Sequence, residues 1–163
     1  EEINLIETVD SILGQFKAGI DEKGLKVEHL RTASVEIWGD QAALEEALTN
    51  LIDNAVKYNK PGGEIKIYYE RQGAFWQLVL QDTGIGIAGK HLDKLFTPYY
   101  RADVPKDTPG TGLGLYIVKS IIDQSKGKIW FDSEEEKGTS FYVTLPVSGM
   151  KGVKGVKGLN PAV

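Results

Sequence analysis

The sequence predicts an α+β fold: a two-layer sandwich in which a mixed sheet of about five strands carries three main helices on one face. Three observations carry that prediction. Apolar residues recur at helical spacing in three stretches, opening at Ile3, Leu44 and Leu113. Two pairs of alternating segments, within 64–81 and 128–145, are broken by Gln72-Gly73 and by an acidic turn at 134–138, which is hairpin patterning. Finally, 163 residues with 41% hydrophobic and 26% charged side chains make an ordinary globular composition.

Taken in chain order, residues 2–16 place Ile3, Ile6, Val9, Ile12, Leu13 and Phe16 on one helical face, so an amphipathic helix is expected to end near Gly19. Residues 24–27 and 34–38 read as two short strands. Asp40 follows as an N-cap, and Leu44, Leu48, Leu51, Ile52, Ala55 and Val56 give the strongest helical pattern in the chain. Asn59-Lys60-Pro61-Gly62-Gly63 stops that helix. The alternation of 64–71 and 74–81 then predicts a hairpin, and a short helix is expected over 90–95. Residues 97–110 have no periodicity and read as a long loop, whereas 111–124 return to helical spacing. A last strand pair is expected over 128–133 and 139–145. The glycine-spaced basic stretch at 148–163 is expected to be a flexible tail behind a domain of residues 1–147.

Composition narrows the chemistry. There is no cysteine, so disulfides, thiolate metal sites and thiol nucleophiles are excluded, and a reducing, cytoplasmic location is expected. The net charge is −4 even with three lysines and no acid in residues 151–163, which argues against broad nucleic-acid binding. No apolar run reaches the roughly 20 residues that span a bilayer, so no membrane contact is expected. The two histidines, His29 and His91, cannot form a three-histidine metal site.

Three segments carry candidate chemistry. On the helix after Asp40, Glu46, Asn50, Asn54 and Lys57 or Tyr58 share one stripe. Asparagine is a poor residue for a helix interior, and an amide oxygen beside a carboxylate suits a hard cation such as Mg²⁺; a solvated polar face is the alternative. Asp82-Thr83-Gly84-Ile85-Gly86 leaves a strand end, where glycines admit a flat ligand and a carboxylate can accept from an exocyclic amine; a plain turn is the alternative. Gly110-Thr111-Gly112-Leu113-Gly114-Leu115 opens a helix, where free backbone N–H groups favour phosphate. Neither a dinucleotide fingerprint nor a G-x-x-x-x-G-K-[ST] loop is present.

In this order the segments closely resemble the N, G1, F and G2 boxes of the ATP-binding catalytic domain of sensor histidine kinases, within the gyrase–Hsp90–histidine kinase–MutL superfamily. Residues 50–58 match the N box, Asp82-x-Gly84-x-Gly86-Ile87 the G1 box, and residues 110–118 the G2 box, with Gly138-Thr139-Ser140-Phe141 as a G3-like element. Leu95-Phe96-Thr97-Pro98-Tyr99-Tyr100-Arg101 resembles the F box, departing from it at Thr97-Pro98-Tyr99. The resemblance implies a Bergerat-type ATP-binding fold that binds ATP and Mg²⁺. It implies that Asp82 meets the adenine amino group beside Thr139, with Gly84, Gly86 and Ile87 in the adenine loop. Asn50 would ligate Mg²⁺, Asn54 and Lys57 would face the metal or phosphates, and Tyr58 and Tyr100 would line the nucleotide site. Glu46 would act as base or polarising group, Arg101 would meet the γ-phosphate, and Gly110, Thr111, Gly112, Leu113, Gly114 and Leu115 would wrap the phosphates.

The expected function is transfer of the ATP γ-phosphate to a histidine on a separate dimerisation domain, with a response regulator as indirect partner. His29 and His91 are each followed by leucine and lack the acceptor context; both are expected at the surface. The chain is therefore expected to be a catalytic domain of a larger kinase and a monomer in isolation. The alternatives are an ATPase or anti-sigma-type serine kinase of the same superfamily, or an ATP-binding switch without phosphotransfer.

Overall fold

The helix expected at the start of the chain is preceded by a strand. Strand β1 (Glu2–Asn4) pairs antiparallel with β3 (Glu36–Trp38), and α1 (Leu5–Gln15) starts only after Asn4. The Asn4 side chain accepts from the N–H groups of Ile6 and Glu7 at 3.0 and 3.3 Å, so the cap marks the true helix start. A computed structural model describes residues 1–32, 34–88, 94–98 and 114–149. The helix breaks at Phe16 and a second one follows as α2 (Lys17–Lys23), an element the periodicity does not predict, running through Gly19. There α2 lies against α3 (Gln41–Lys57): a Cβ on Gly19 would stand 3.5 Å from Val56, an ordinary van der Waals contact that a small side chain would also make. Gly24, at φ +62°, closes α2.

Strand β2 (Lys26–His29) and α3 precede a long hairpin, β4 (Glu64–Gln72) and β5 (Phe75–Asp82). The turn residue Gly73 takes φ +58°. Helix α4 (Gly114–Gln124) leads into β6 (Lys128–Glu134) and β7 (Gly138–Pro146). The main sheet has the order β2-β4-β5-β7-β6, with β2 parallel to β4 and every other pair antiparallel. This is the mixed five-stranded sheet the sequence predicts. The helix expected at 90–95 falls largely outside the described residues, as do 99–113 and 150–163; residues 94–98 form a turn closed by Thr97 N–H on the Lys94 carbonyl.

The alternation of β4 and β5 sorts the two faces of the sheet. Ile65, Ile67 and Tyr69 of β4, Leu78 and Leu80 of β5, and Phe141, Val143 and Leu145 of β7 join the apolar faces of α1, α3 and α4 in one core. Helix α3 runs through its middle, with Leu44, Leu48, Leu51 and Ile52 all nearly inaccessible. On the opposite face Tyr68, Val79, Tyr142 and Trp130 sit in register across four strands. The last two rings stack at 5.5 Å, and Val79, within this row, is fully buried. Cross-strand aromatic pairs thus cover a face that no described helix covers.

His29 is not at the surface. Its side chain is 4% exposed, with Nδ1 bonded to Asp10 at 2.9 Å and Nε2 to the Tyr69 hydroxyl at 2.7 Å. Burial pushes the Tyr69 hydroxyl pKa up, and Arg31 beside Asp10 holds that carboxyl below its usual range. The network ties α1 to β2 and β4 and leaves neither imidazole nitrogen free.

Because α3 lies at the centre of the core, Leu48→Ala is expected to destabilise the domain by about 2–5 kcal/mol through lost burial and a residual cavity. Urea denaturation measures this. A midpoint that barely moves would contradict the central position given to α3.

Candidate nucleotide site

Helix α3, the end of β5, the start of β7 and the start of α4 bring the candidate residues together. Asp40 caps α3 by accepting from Ala43 N–H at 3.1 Å, which sets the helix register for the polar stripe. On that stripe the Asn50 side-chain N–H₂ donates to the Glu46 carbonyl at 3.0 Å. This fixes the amide and leaves its oxygen facing α4: a Cβ on Gly114 would lie 3.2 Å from Oδ1. Glu46 is exposed, while Asn54, Lys57 and Tyr58 are half-buried. The Lys57 ammonium stands 3.6 Å from Asp53 and 5.0 Å from the Tyr58 ring centroid.

Asp82 is the last residue of β5 and lies opposite Thr139 of β7 in the ladder. Its Oδ1 accepts from Gly84 N–H at 2.9 Å and from Thr139 N–H at 3.3 Å. Both bonds fall on the same oxygen; among the described residues Oδ2 accepts none. Burial raises the Asp82 pKa, the two backbone N–H bonds oppose it, and the net value is about 6. Near neutral pH it is therefore a half-buried carboxylate with one oxygen that no described group bonds. Thr139 is 6% exposed, and its hydroxyl shares a 2.8 Å hydrogen bond with Ser133.

The loop after Asp82 is braced on two sides. Ile85 N–H donates to the Tyr58 carbonyl at the end of α3 (3.1 Å), and the Ile85 carbonyl accepts from Glu136 N–H in the β6–β7 turn (2.7 Å). Ile87 N–H donates to the Ser133 hydroxyl at 2.8 Å. These approaches need glycine. A Cβ on Gly84 would stand 2.5 Å from the Tyr58 carbonyl, and Gly86, at φ +67°, would drive one into the Glu134 carbonyl.

Sequence reasoning misses the residues that hold this loop in place. Asn59, read only as part of a helix stop, is 6% exposed. Its amide donates to the Glu64 carbonyl at 3.1 Å, and its oxygen accepts from Lys60 N–H at 3.0 Å and the Thr83 hydroxyl at 3.2 Å. Thr83 in turn accepts from Glu64 N–H at 2.8 Å. Ser133, read only as a strand end, links Ile87 to Thr139. Their isolated positions give no periodic signal; their roles exist only once three segments meet. Of the expected site residues, Tyr100, Arg101, Gly110, Thr111, Gly112 and Leu113 lie outside the described residues, as does His91. Leu115 is half-buried on α4.

Among the described residues, the Asn50 oxygen is a hard donor that a divalent cation could use, held by its own amide. Among the described residues no group of three or more His, Cys, Asp or Glu could hold a metal ion. An ion at this place would therefore share Asn50 with phosphate oxygens and water, the usual arrangement for Mg²⁺. Among the described residues no helix is long and apolar enough to cross a membrane.

Comparison with known proteins agrees with this fold. The chain is 38% identical to the sensor protein SrrB of Staphylococcus aureus over 141 residues, 85% of this chain and 24% of that protein. It thus spans about a quarter of the length of such curated relatives. Among solved structures, the mycobacterial sensor histidine kinase MprB superposes with a TM-score of 0.78 at 27% identity, over 90% of this chain and 97% of that one. The nucleotide-free catalytic domain of the histidine kinase ThkA gives 0.78 at 28% identity, over 90% and 96%. Acinetobacter baumannii AdeS, also a histidine kinase, gives 0.72 at 31% identity, over 91% and 67%. Residues 39–149, which contain α3, the loop after Asp82 and the β6–β7 hairpin, match the histidine kinase-, DNA gyrase B- and HSP90-like ATPase family, and the chain belongs to that family.

Proposed function

We propose that the chain is the Mg²⁺-ATP-binding catalytic domain of a two-component sensor kinase and passes the γ-phosphate of ATP to a histidine on a separate dimerisation domain. The observation that carries the nucleotide reading is Asp82: a half-buried carboxylate whose Oδ1 is held by two backbone N–H groups while, among the described residues, Oδ2 accepts none. An exocyclic amine supplies the donor that this oxygen lacks. Thr139 and the loop from Gly84 to Ile87 border the base, and Tyr58 and Tyr100 flank the nucleoside.

The phosphate end falls to the polar stripe of α3 and the glycines that precede α4. Asn50 holds Mg²⁺, with Asn54 and Lys57 beside it; when bound, the ion neutralises charge on the phosphate oxygens. Backbone N–H groups from Gly110 through Leu115 receive the phosphates, and Arg101 meets the γ-phosphate as charge develops. Glu46, exposed at the mouth of the stripe, polarises the incoming histidine or takes its ring proton. The acceptor cannot be His29, whose two nitrogens are already bonded and buried. A dimerisation domain supplies the histidine, and a response regulator receives the phosphate from it. The solved complex of ThkA with the response regulator TrrA shares the fold, with a TM-score of 0.74 at 24% identity. A cytoplasmic location, residues 1–147 as the catalytic unit with a tail behind it, and a monomeric state in isolation complete the reading.

Asp82→Asn separates function from stability. The folded-state pKa of about 6 lies above the ordinary 3.8, so the folded form binds more protons between those values. The stability this group contributes is present in full below about pH 4 and is lost as pH rises through about 6. Replacing the carboxylate by an amide should raise the stability of the nucleotide-free domain by about 1–3 kcal/mol at pH 8, with no gain left near pH 4. The same change sets an N–H₂ against the adenine amine and should weaken ADP roughly 10–100-fold. Thermal melts across pH and calorimetry with ADP read the two effects; full ADP affinity in the variant would remove Asp82 from the site.

Asn50→Ala is expected to abolish phosphate transfer to a dimerisation domain added in trans, with the fold preserved on a half-buried helix face. Transfer is read as acid-labile, base-stable label on that domain. Undiminished transfer by the variant would contradict the role of Asn50, and ATP hydrolysis without any histidine label would favour the ATPase reading.

A further inference from the structure

Lys23, the last residue of α2, reaches across to the end of α3. Its ammonium donates to three backbone carbonyls: Val56 at 2.9 Å, Lys57 at 2.6 Å and Asn59 at 3.3 Å. The first two belong to the last helical turn, where carbonyls run out of helical N–H partners and the helix dipole is negative. The third lies past the helix. Between them stands Tyr58, whose own carbonyl accepts from Ile85 N–H at 3.1 Å. One cation thus grips the chain on both sides of the acceptor that holds the loop after Asp82. The backbone of Lys23 adds a further tie, its carbonyl accepting from Gly62 N–H at 2.8 Å, and Lys26 N–H donates to the Gly63 carbonyl at 2.9 Å.

We infer that Lys23 is a positioning residue for the adenine end of the site: its ammonium clamps the corner at residues 56–59 and so sets the Tyr58 carbonyl that anchors Ile85 beside Asp82. The inference rests on the nucleotide reading above for its functional consequence, though not for its mechanical one. All three bonds go to backbone oxygens, so the side chain acts on a nucleotide only through the corner it holds. A charge-assisted clamp of three bonds on a single turn is stronger than the N–H···O bond it supports, which makes Ile85 the dependent partner. The neighbouring ties of Asn59 and Thr83 act on the same corner from the β4 side, and they hold Glu64 rather than Tyr58. Removing the ammonium should therefore loosen the Tyr58–Ile85 link before it loosens the sheet.

The test compares wild type, Lys23→Met and Lys23→Arg in two measurements. In the nucleotide-free domain, amide exchange by NMR should be about tenfold faster at Ile85 in Lys23→Met, with the central-sheet amides of Ile67 and Leu80 unchanged. By calorimetry, ADP should bind about tenfold more weakly while inorganic tripolyphosphate, which has no base, binds as in wild type. Lys23→Arg, which keeps the charge, should recover most of both losses. If Lys23→Met does not fold, Lys23→Gln takes its place in the same comparison. Unchanged exchange at Ile85 overturns the clamp, and so does acceleration spread equally over Ile67 and Leu80, which marks a cap that only stabilises the whole fold. Equal losses for ADP and tripolyphosphate overturn its assignment to the adenine end. Wild-type protein that binds no ADP overturns the nucleotide reading, and the exchange comparison then still decides whether Lys23 clamps the corner.

Discussion

Asp82 and Thr139 face each other across the β5–β7 ladder, and the geometry of the site depends on the register of that pair. Side chains in a strand alternate between faces, so a slip of one residue would turn the Asp82 carboxylate away from the Thr139 and Gly84 N–H groups that hold it. The register is fixed far from the site. Leu78 and Leu80 of β5 and Phe141 and Val143 of β7 must all enter the core together, while Val79 sits between Tyr68 and Tyr142 on the other face. Apolar burial along two strands therefore positions one carboxylate at their end.

A half-buried carboxylate is costly, and here both hydrogen bonds from described residues fall on one oxygen. Two backbone N–H groups stabilise Oδ1, yet burial still raises the pKa to about 6. A purely structural acid would gain by satisfying both oxygens. The loop carrying Gly84, Ile85 and Ile87 is held rigidly beside it by Tyr58, Glu136 and Ser133. Rigid surroundings beside an oxygen that no described group bonds are the expected form of a site that takes its donor from a ligand.

Much of this was legible in the chain. The spacing of Leu44, Leu48, Leu51 and Ile52 gives α3 and, by elimination, the stripe of Glu46, Asn50 and Asn54; the alternation of 64–81 gives the hairpin whose end is Asp82. Both are periodic features, and periodicity survives without knowledge of tertiary neighbours. The misreadings share a cause. Residues 2–4 pair with β3 because a strand 32 residues away offers a ladder, which no local pattern at Glu2 reveals. His29 looks like a loop histidine until Asp10 and Tyr69 close around it. Lys23, Asn59, Thr83 and Ser133 are single polar residues at element ends, and each acquires a role only from segments distant in sequence. Long-range hydrogen bonds leave no trace in local spacing.

The central claim is that the Asp82 carboxylate recognises an exocyclic amine on adenine. Calorimetry comparing ADP with inosine diphosphate tests it most directly, since the two differ at the 6-position, where an amine donor is replaced by a carbonyl acceptor. An acceptor set against a carboxylate leaves both unpaired, so ADP should bind about 10–100-fold more tightly. Equal affinities for the two nucleotides would contradict the account.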